Sequence, residues 1–199
     1  MAEKAHDLVY ECKRKAFHLL SLVYLAAYWT LGYPRVLHWL LSWTIFVASL
    51  EAARLCFPRL NQALTNLFAN LSRPEESRHY SGVFHTATGA LVLIFFFGKF
   101  PQIVSASLFY VTFGDAAAAL IGKSIGKHRL SGGKKSLEGS LACFLTCLLI
   151  GKLFGFHLFA SLAAAATGTV IEFLPTTAYF NDNLWMPLGT AIALRLCGA

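Results

Sequence analysis

The sequence contains few charged residues. Asp, Glu, Lys and Arg make up 14% of the 199 residues, whereas hydrophobic residues make up 56%. Soluble globular domains contain about 25% charged residues, and the mean hydropathy here is +0.56. The shortage of charge argues against a soluble domain and predicts a single integral membrane domain over residues 1–199.

Several familiar patterns are also missing. The five cysteines are odd in number and scattered through apolar surroundings, so the sequence predicts buried fillers rather than a disulfide framework. Neither the glycine-rich P-loop that cradles nucleotide phosphates nor the protein-kinase signature set occurs. Any nucleotide chemistry must therefore use another scaffold. Internal repeats and low-complexity tracts are absent as well.

Long apolar segments dominate what is present. A helix of about 17 to 25 apolar residues crosses the hydrocarbon core of a bilayer. Seven segments approach or reach that length, at 16–33, 36–55, 82–98, 102–121, 137–155, 157–174 and 184–197. The sequence thus predicts an all-α, polytopic membrane protein with about seven transmembrane helices. The first segment follows three acidic residues and precedes six more spans, so we interpret it as a retained span rather than a signal peptide.

The charges are distributed unevenly along these predicted spans. With the N-terminus in the cytoplasm, thirteen of the seventeen Lys and Arg residues fall on the cytoplasmic side, as the positive-inside rule requires. All ten acidic residues fall at that side too, which the rule does not require. The connection 56–81 is either an amphipathic helix lying in the interface or a plain loop.

A basic, glycine-rich loop at 122–136 joins the fourth and fifth predicted spans. Its cations and exposed backbone N–H groups are typical of a polyphosphate site; the candidate residues are Gly122, Gly126, Lys127, Gly133, Lys134 and Lys135. Contact with anionic lipid head groups is the alternative. Glu138 follows the loop at once, and a loop that only attracts anionic lipids would not need this acid.

Two further stretches place ionisable groups at the cytoplasmic membrane face. Glu11, Arg14, Lys15 and His18 share one face of a helix that enters the membrane. An ion pair between Glu11 and Lys15 with cations reaching toward water is the structural alternative. Asp115 lies inside the fourth span, where ionisable groups generally mark functional sites.

Acidic residues from different spans are predicted to converge at this face. They are Asp115, Glu138, Glu172 and Asp182. Mg²⁺ is typically held by one or two carboxylates together with substrate phosphates. The sequence therefore predicts one or two magnesium ions beside the basic loop.

These motifs resemble those of the CTP-dependent lipid-alcohol kinases, which comprise dolichol, polyprenol and phytol kinases and the yeast-type diacylglycerol kinase. The matching elements are Glu11-x-x-Arg14-Lys15-x-x-His18, Gly114-Asp115-Ala116-x-Ala118-x-x-x-Gly122-x-x-x-Gly126-Lys127, Lys135-Ser136-x-Glu138-Gly139, and Glu172 followed by Asp182-Asn183-x-x-x-Pro187. The middle two elements are similar to those of phosphatidate cytidylyltransferases. The C-terminal signature of those enzymes is absent, which favours the kinases.

The resemblance implies transfer of the γ-phosphate of CTP to the hydroxyl of a membrane lipid alcohol, with Mg²⁺ as cofactor. The implied catalytic residues are Asp115, Asp182, Glu138 and Lys135, and the implied metal ligands are Asp115, Asp182, Glu138 and Glu172. The implied nucleotide- or phosphate-binding residues are Gly122, Gly126, Lys127, Gly133, Lys134, Lys135, Arg14, Lys15, His18 and Asn183.

Alternative functions remain open at this point. A cytidylyltransferase would make a CDP-lipid, and a transporter or scaffold would use the charges for ion coupling or partner binding. The expected partners are CTP, the lipid substrate and the bilayer, with no nucleic acid. The expected location is the cytoplasmic membrane or the endoplasmic reticulum, with the active site facing the cytoplasm. Neither the lipid alcohol nor the oligomeric state can be read from the residues.

Overall fold

The computed structural model describes residues 2–68, 71, 74–130, 135–177 and 180–199. Helices account for almost all of this chain. In chain order they are α1 (Ala2–His18), α2 (Leu22–Leu31), α3 (Arg35–Cys56), α4 (Pro58–Leu67), α5 (Gly82–Phe97), α6 (Pro101–Phe109), α7 (Asp115–Ser124), α8 (Leu137–Leu153), α9 (Leu158–Phe173) and α10 (Asp182–Leu196). Short 3₁₀ turns occupy Leu19–Ser21 and Pro74–Ser77. The prediction of an all-α chain is confirmed.

Each of the seven predicted apolar segments is helical. The first consists of the end of α1, the 3₁₀ turn and α2, and the fourth consists of α6 and α7 joined by a π-helical turn at Tyr110–Gly114. The other five are α3, α5, α8, α9 and α10. Among the described residues, Arg35–Cys56 and the continuous helix 101–124 are long and apolar enough to cross a membrane, while Gly82–Phe97 and Leu158–Phe173 are apolar but shorter. Seven spans and a cytoplasmic N-terminus therefore stay predictions.

Small residues let the helices α7, α8, α9 and α10 pack closely. A Cβ atom on Gly139 would lie 2.6 Å from the backbone oxygen of Ala118, so α7 and α8 touch at the backbone. Gly89 meets the backbone oxygen of Asn183 in the same way, at 2.7 Å, where α5 crosses the start of α10. These contacts bring the beginnings of α8 and α10 close to α7 and α5.

The outward surface of α8 is apolar. Leu141, Leu145, Leu149 and Leu153 recur every four residues and therefore form one stripe along the helix. Each of these side chains is more than half exposed. A stripe of this size in water would be a liability, but it suits a helix that faces lipid chains.

The two longer polar connections contain secondary structure. Helix α4, which begins with a proline at its first position, lies within the 56–81 connection and is amphipathic; its location in the membrane interface stays a prediction. In the 122–136 loop, β1 (Arg129–Leu130) pairs antiparallel with β2 (Lys135–Ser136). All five cysteines are free, as expected, and Cys143 and Cys147 are buried. The prediction of buried fillers is wrong for Cys12 and Cys56, which are exposed.

Candidate active site

A buried ion pair joins α1 to α7. The ammonium group of Lys15 donates a hydrogen bond to the carboxylate of Asp115, and both residues are nearly inaccessible. His18 lies one turn further along α1, with its Nε2 atom 3.9 Å from Asp115 Oδ2. The His18 Nε2 atom has no hydrogen-bond partner among the described residues. The predicted charged face of α1 is thus directed at the predicted acid of the fourth segment.

Glu11 links α1 to the other end of α7. Its carboxylate accepts a hydrogen bond from Arg14, and its Oε2 atom lies 2.7 Å from Lys123 Nζ. Burial would raise the pKa of the Glu11 carboxyl, but Arg14, Lys123 and Lys15 outweigh this effect, so the pKa is below its usual value. Glu11 is therefore an anion that holds two cations in place.

Two irregular turns set the position of the Lys15–Asp115 pair. The helix 101–124 changes to π geometry at Tyr110–Gly114, directly before Asp115. The 3₁₀ turn Leu19–Ser21 directly follows His18. The hydroxyls of Ser21 and Thr112 lie 3.1 Å apart and connect the two turns. Single π turns occur frequently at functional sites, because they redirect side chains without ending the helix.

A second ion pair joins the β-hairpin to the end of α9. The Nζ atom of Lys135 donates to the Glu172 carboxylate and, at 2.6 Å, to the Glu172 backbone oxygen. The other carboxylate oxygen of Glu172 is buried and has no hydrogen-bond partner among the described residues. Glu172 thus retains one free acceptor in a buried position.

Asp182 is buried at the first position of α10. Asn181 caps this helix by accepting from the Asn183 backbone N–H at 3.0 Å. The Asp182 carboxylate interacts electrostatically with Lys15, His18 and Glu172. Asp182 and Asp115 therefore act electrostatically on the same two side chains, Lys15 and His18, and the role of Asp182 in the site stays a prediction.

Several of these groups line one polar cavity of about 490 Å³, whereas Lys15, His18 and Asp182 are not part of its lining. This volume is within the range of small-molecule sites, about 300 to 1,000 Å³. The predicted site residues in its lining are Arg14, Asp115, Gly122, Lys135 and Glu172, and Glu11, Lys123 and Arg129 add further charges. Both cations and carboxylates thus line a space that is large enough for a small molecule.

Other predicted site residues lie outside this lining. Glu138 accepts hydrogen bonds from the backbone N–H groups of Lys127 and His128, and its Oε1 atom lies 2.8 Å from the His128 ring. Glu138 thus stabilises the backbone that leads into the hairpin. Its role as a metal ligand stays a prediction. Lys127 is exposed. Gly133 and Lys134 lie outside the described residues.

The glycines Gly122 and Gly126 have a packing role. A Cβ atom on Gly126 would lie 2.6 Å from Ser136 Oγ, and one on Gly122 would lie 3.0 Å from the same atom. Ser136 in turn caps α8 by accepting from the Gly139 N–H. Close packing of α7, β2 and α8 explains these glycines without a phosphate. Asn183 contacts Gly82 and Gly89 and lies outside the polar lining.

Sequence reasoning missed a buried pair on α3. Arg54 donates to both carboxylate oxygens of Glu51, at 3.0 and 2.7 Å. It also donates to Asn61 of α4 at 3.0 Å and to the Glu76 backbone oxygen at 2.9 Å. The Ser81 backbone N–H donates to Glu51 at 2.9 Å. This pair therefore holds α4 and the 76–81 segment against α3.

Replacing Arg54 with Met is expected to destabilise the protein by about 3 to 5 kcal/mol, because Glu51 would remain buried without its cation. Thermal unfolding in detergent, followed by tryptophan fluorescence, measures the effect. Arg59→Met is the matched control, since Arg59 is exposed on α4. Equal unfolding temperatures for the two variants would show that the Arg54 contacts contribute nothing to stability.

The chain is similar to three curated proteins over much of its length. It is 30% identical to an uncharacterised protein of Rickettsia prowazekii over 205 residues, which covers 97% of both chains. It is 29% identical to CTP-dependent diacylglycerol kinase 1 of Saccharomyces cerevisiae over 188 residues, or 92% of this chain. It is 33% identical to the phytol kinase of Synechocystis over 125 residues, or 58% of this chain.

The alignments cover different shares of these relatives. They span 64% of the yeast kinase and 54% of the cyanobacterial kinase. No family model matches the chain. No solved structure matches it either. The chain belongs to the CTP-dependent lipid kinase family that contains these diacylglycerol and phytol kinases.

Proposed function

We propose that this protein transfers the γ-phosphate of CTP to the hydroxyl group of a membrane lipid alcohol. The observation that carries the proposal is the polar cavity whose lining combines Arg14, Lys123 and Lys135 with the carboxylates of Asp115 and Glu172. Phosphoryl transfer needs cations to offset the triphosphate charge and a group that positions the attacking hydroxyl. Kinase names among the relatives support the same reaction class.

The cations of the cavity would hold the phosphates. Arg14 is fixed by Glu11, and Lys135 is fixed by Glu172, so both side chains are positioned before a nucleotide binds. Donors that are already oriented stabilise developing charge without reorganisation, which is the largest single contribution in many enzymes. Lys123 is more exposed than Arg14 and would contact the outer part of the triphosphate.

The acids would bind Mg²⁺ and the alcohol proton. Among the described residues, no three His, Cys, Asp or Glu side chains form a group that could hold a metal ion by themselves. Mg²⁺ usually keeps one or two carboxylates and takes its remaining ligands from phosphate and water. The unpartnered Glu172 oxygen and the nearby Asp182 fit that role. Mg²⁺, when bound, would neutralise phosphate charge, and Asp115 would accept the hydroxyl proton.

The lipid alcohol is either a single-chain alcohol of the phytol, polyprenol or dolichol type, or diacylglycerol. The relatives include both a phytol kinase and a diacylglycerol kinase. Each of these substrates presents a hydroxyl on an apolar body. A panel of such lipids, assayed with MgCTP, would identify the preferred acceptor. The reaction would take place at the cytoplasmic face of the cytoplasmic membrane or the endoplasmic reticulum.

Position-specific labelling of CTP tests the proposal. Purified protein in lipid nanodiscs is incubated with the lipid panel, Mg²⁺, and CTP labelled at either the α- or the γ-phosphate. We expect only γ-label in the lipid product. Label from the α-phosphate would instead identify a cytidylyltransferase that forms a CDP-lipid. Absence of both labels in lipid, with no CTP turnover, would favour a transporter or scaffold.

A further inference from the structure

A second cavity, of about 500 Å³, lies beside the polar one and is largely apolar. It is a groove between the α1–α2 helix and α3, with α4 at one end. Its apolar lining includes Leu20, Val23, Phe46, Val47, Leu50 and Phe68. We call it the α2–α3 groove. None of the four candidate carboxylates of the active site contributes to its lining.

The α2–α3 groove adjoins the polar cavity. Arg14 and Asn181 line both spaces, and so does Glu76. A molecule with an apolar body in the groove would therefore place its polar end beside Arg14, at the edge of the polar cavity. The two spaces together have the polarity of an amphiphile with a single head group.

The far end of the groove is formed by Tyr24 and Trp43, whose side chains are joined by a hydrogen bond of 3.0 Å from Trp43 Nε1 to the Tyr24 hydroxyl. Tyr24 is ten residues beyond Arg14. At 1.5 Å per residue this separation is about 15 Å along the helix axis. The lining thus extends about 15 Å along the helix, a length that suits an extended hydrocarbon chain.

The groove also opens sideways. Leu20, Val23 and Phe46 line it, yet they are 64%, 52% and 55% exposed. Side chains that both line a cavity and face the surroundings mark an opening between helices. In a bilayer this opening faces lipid chains, so an apolar substrate could pass into the groove without crossing water.

We propose that the α2–α3 groove binds one hydrocarbon chain of the acceptor lipid and holds its hydroxyl group beside Arg14 and Asn181. This inference rests on the proposed function, because it assumes that the polar cavity holds the phosphoryl donor. The Arg54 contacts described above hold α4 and the 74–81 segment over the cytoplasmic end of the groove. The chain of a longer alcohol would extend past Tyr24 through the lateral opening into the bilayer.

Photo-crosslinking tests the location of the chain directly. The probe is a saturated C16 primary alcohol with a diazirine at the middle of its chain, added to the full-length protein in nanodiscs. After illumination and trypsin digestion, we expect label in peptides 16–35 and 36–54, which contain the two walls of the groove. Label confined to peptides 136–152 and 153–195, which contain the outer surfaces of α8 and α9, would overturn the inference.

A groove-filling variant gives a second readout. Leu50→Trp is expected to reduce groove labelling at least fivefold, since Leu50 lines the groove and is 39% exposed, so a larger side chain meets no packed core there. Leu145→Trp, on the outward stripe of α8, is the matched control and should label as the parent does. An excess of unlabelled C16 alcohol should compete with the probe, whereas a phospholipid with C16 chains should not. Equal competition by the phospholipid would show a general lipid site and overturn the inference.

The inference and the proposed function fail in different ways. Label in the groove without transfer of γ-phosphate from CTP would refute the kinase and leave a lipid-alcohol site. Transfer of γ-phosphate to the alcohol with label only on the outer surface would support the kinase and refute the groove. Both experiments use the same protein preparation and the same alcohol.

Discussion

Transfer of γ-phosphate is expected to fall by about a hundredfold to a thousandfold when Asp115 is replaced by Asn, because an amide can neither accept the hydroxyl proton nor offset the Lys15 charge. The initial rate of γ-label transfer to lipid measures this. The same variant is expected to lose about 3 to 5 kcal/mol of stability, since Lys15 would remain buried without an anion. The single variant therefore mixes a catalytic effect with a folding effect.

A double variant separates the two effects. Lys15→Met/Asp115→Leu removes both charges and fills the space with apolar groups of similar size, a replacement that is generally neutral or stabilising for buried ion pairs. We expect it to unfold at nearly the parent temperature and to remain inactive. Recovery of transfer in the folded double variant would show that the pair only supports the fold. Lys99→Met, which changes an exposed cation remote from the cavity, is the control.

Much of the fold was predictable because apolar length is a local signal. Six of the seven apolar segments coincide with helices to within a few residues, whereas the 16–33 segment begins near the end of α1, which starts at Ala2. The π turn at Tyr110–Gly114 was not predicted, because the apolar length of the 102–121 segment does not distinguish π from α geometry. The number of membrane crossings stays a prediction, because helix length and composition alone do not show which helices cross a bilayer.

The candidate site was predictable in composition and less so in pairing. The spacing of Glu11, Arg14 and Lys15 left a local pair between Glu11 and Lys15 open. In the structure Lys15 instead reaches Asp115, one hundred residues away, and Arg14 takes Glu11. Local spacing cannot reveal a partner that only tertiary packing supplies. The spacing of these residues therefore identifies the charged face of α1 but not its partner on α7.

The missed pair on α3 did have a signal. Glu51 and Arg54 are ionisable residues inside a predicted membrane segment, spaced three apart on one helix face. The rule that marked Asp115 applies equally to them. In the sequence they resemble ordinary charges of a cytoplasmic connection, because they lie near the end of the 36–55 segment. Their depth in the fold, below 10% exposure for both, shows that position in sequence underestimated their burial.

The Lys135–Glu172 pair supports a second large effect. Replacing Lys135 with Met is expected to lower kcat/KM for MgCTP about a hundredfold, because a positioned cation is removed from the phosphate side of the cavity. Initial rates over a range of MgCTP concentrations give kcat and KM separately. If Lys135 contacts phosphate equally in the ground and transition states, KM rises and kcat is unchanged; if it acts mainly in the transition state, kcat falls.

Glu172 distinguishes a phosphate contact from a structural link in this pair. Glu172→Gln keeps the backbone oxygen that accepts from Lys135 at 2.6 Å, and so keeps the hairpin attached to α9. It removes the carboxylate that would ligate Mg²⁺, so the Mg²⁺ concentration for half-maximal rate should rise about tenfold or more. Lys135→Met should leave that concentration nearly unchanged and impair CTP binding instead. If both variants lose thermal stability but keep the kinetic constants of the parent protein, the Lys135–Glu172 pair only stabilises the fold. The donor phosphates must then be bound by Arg14 and Lys123.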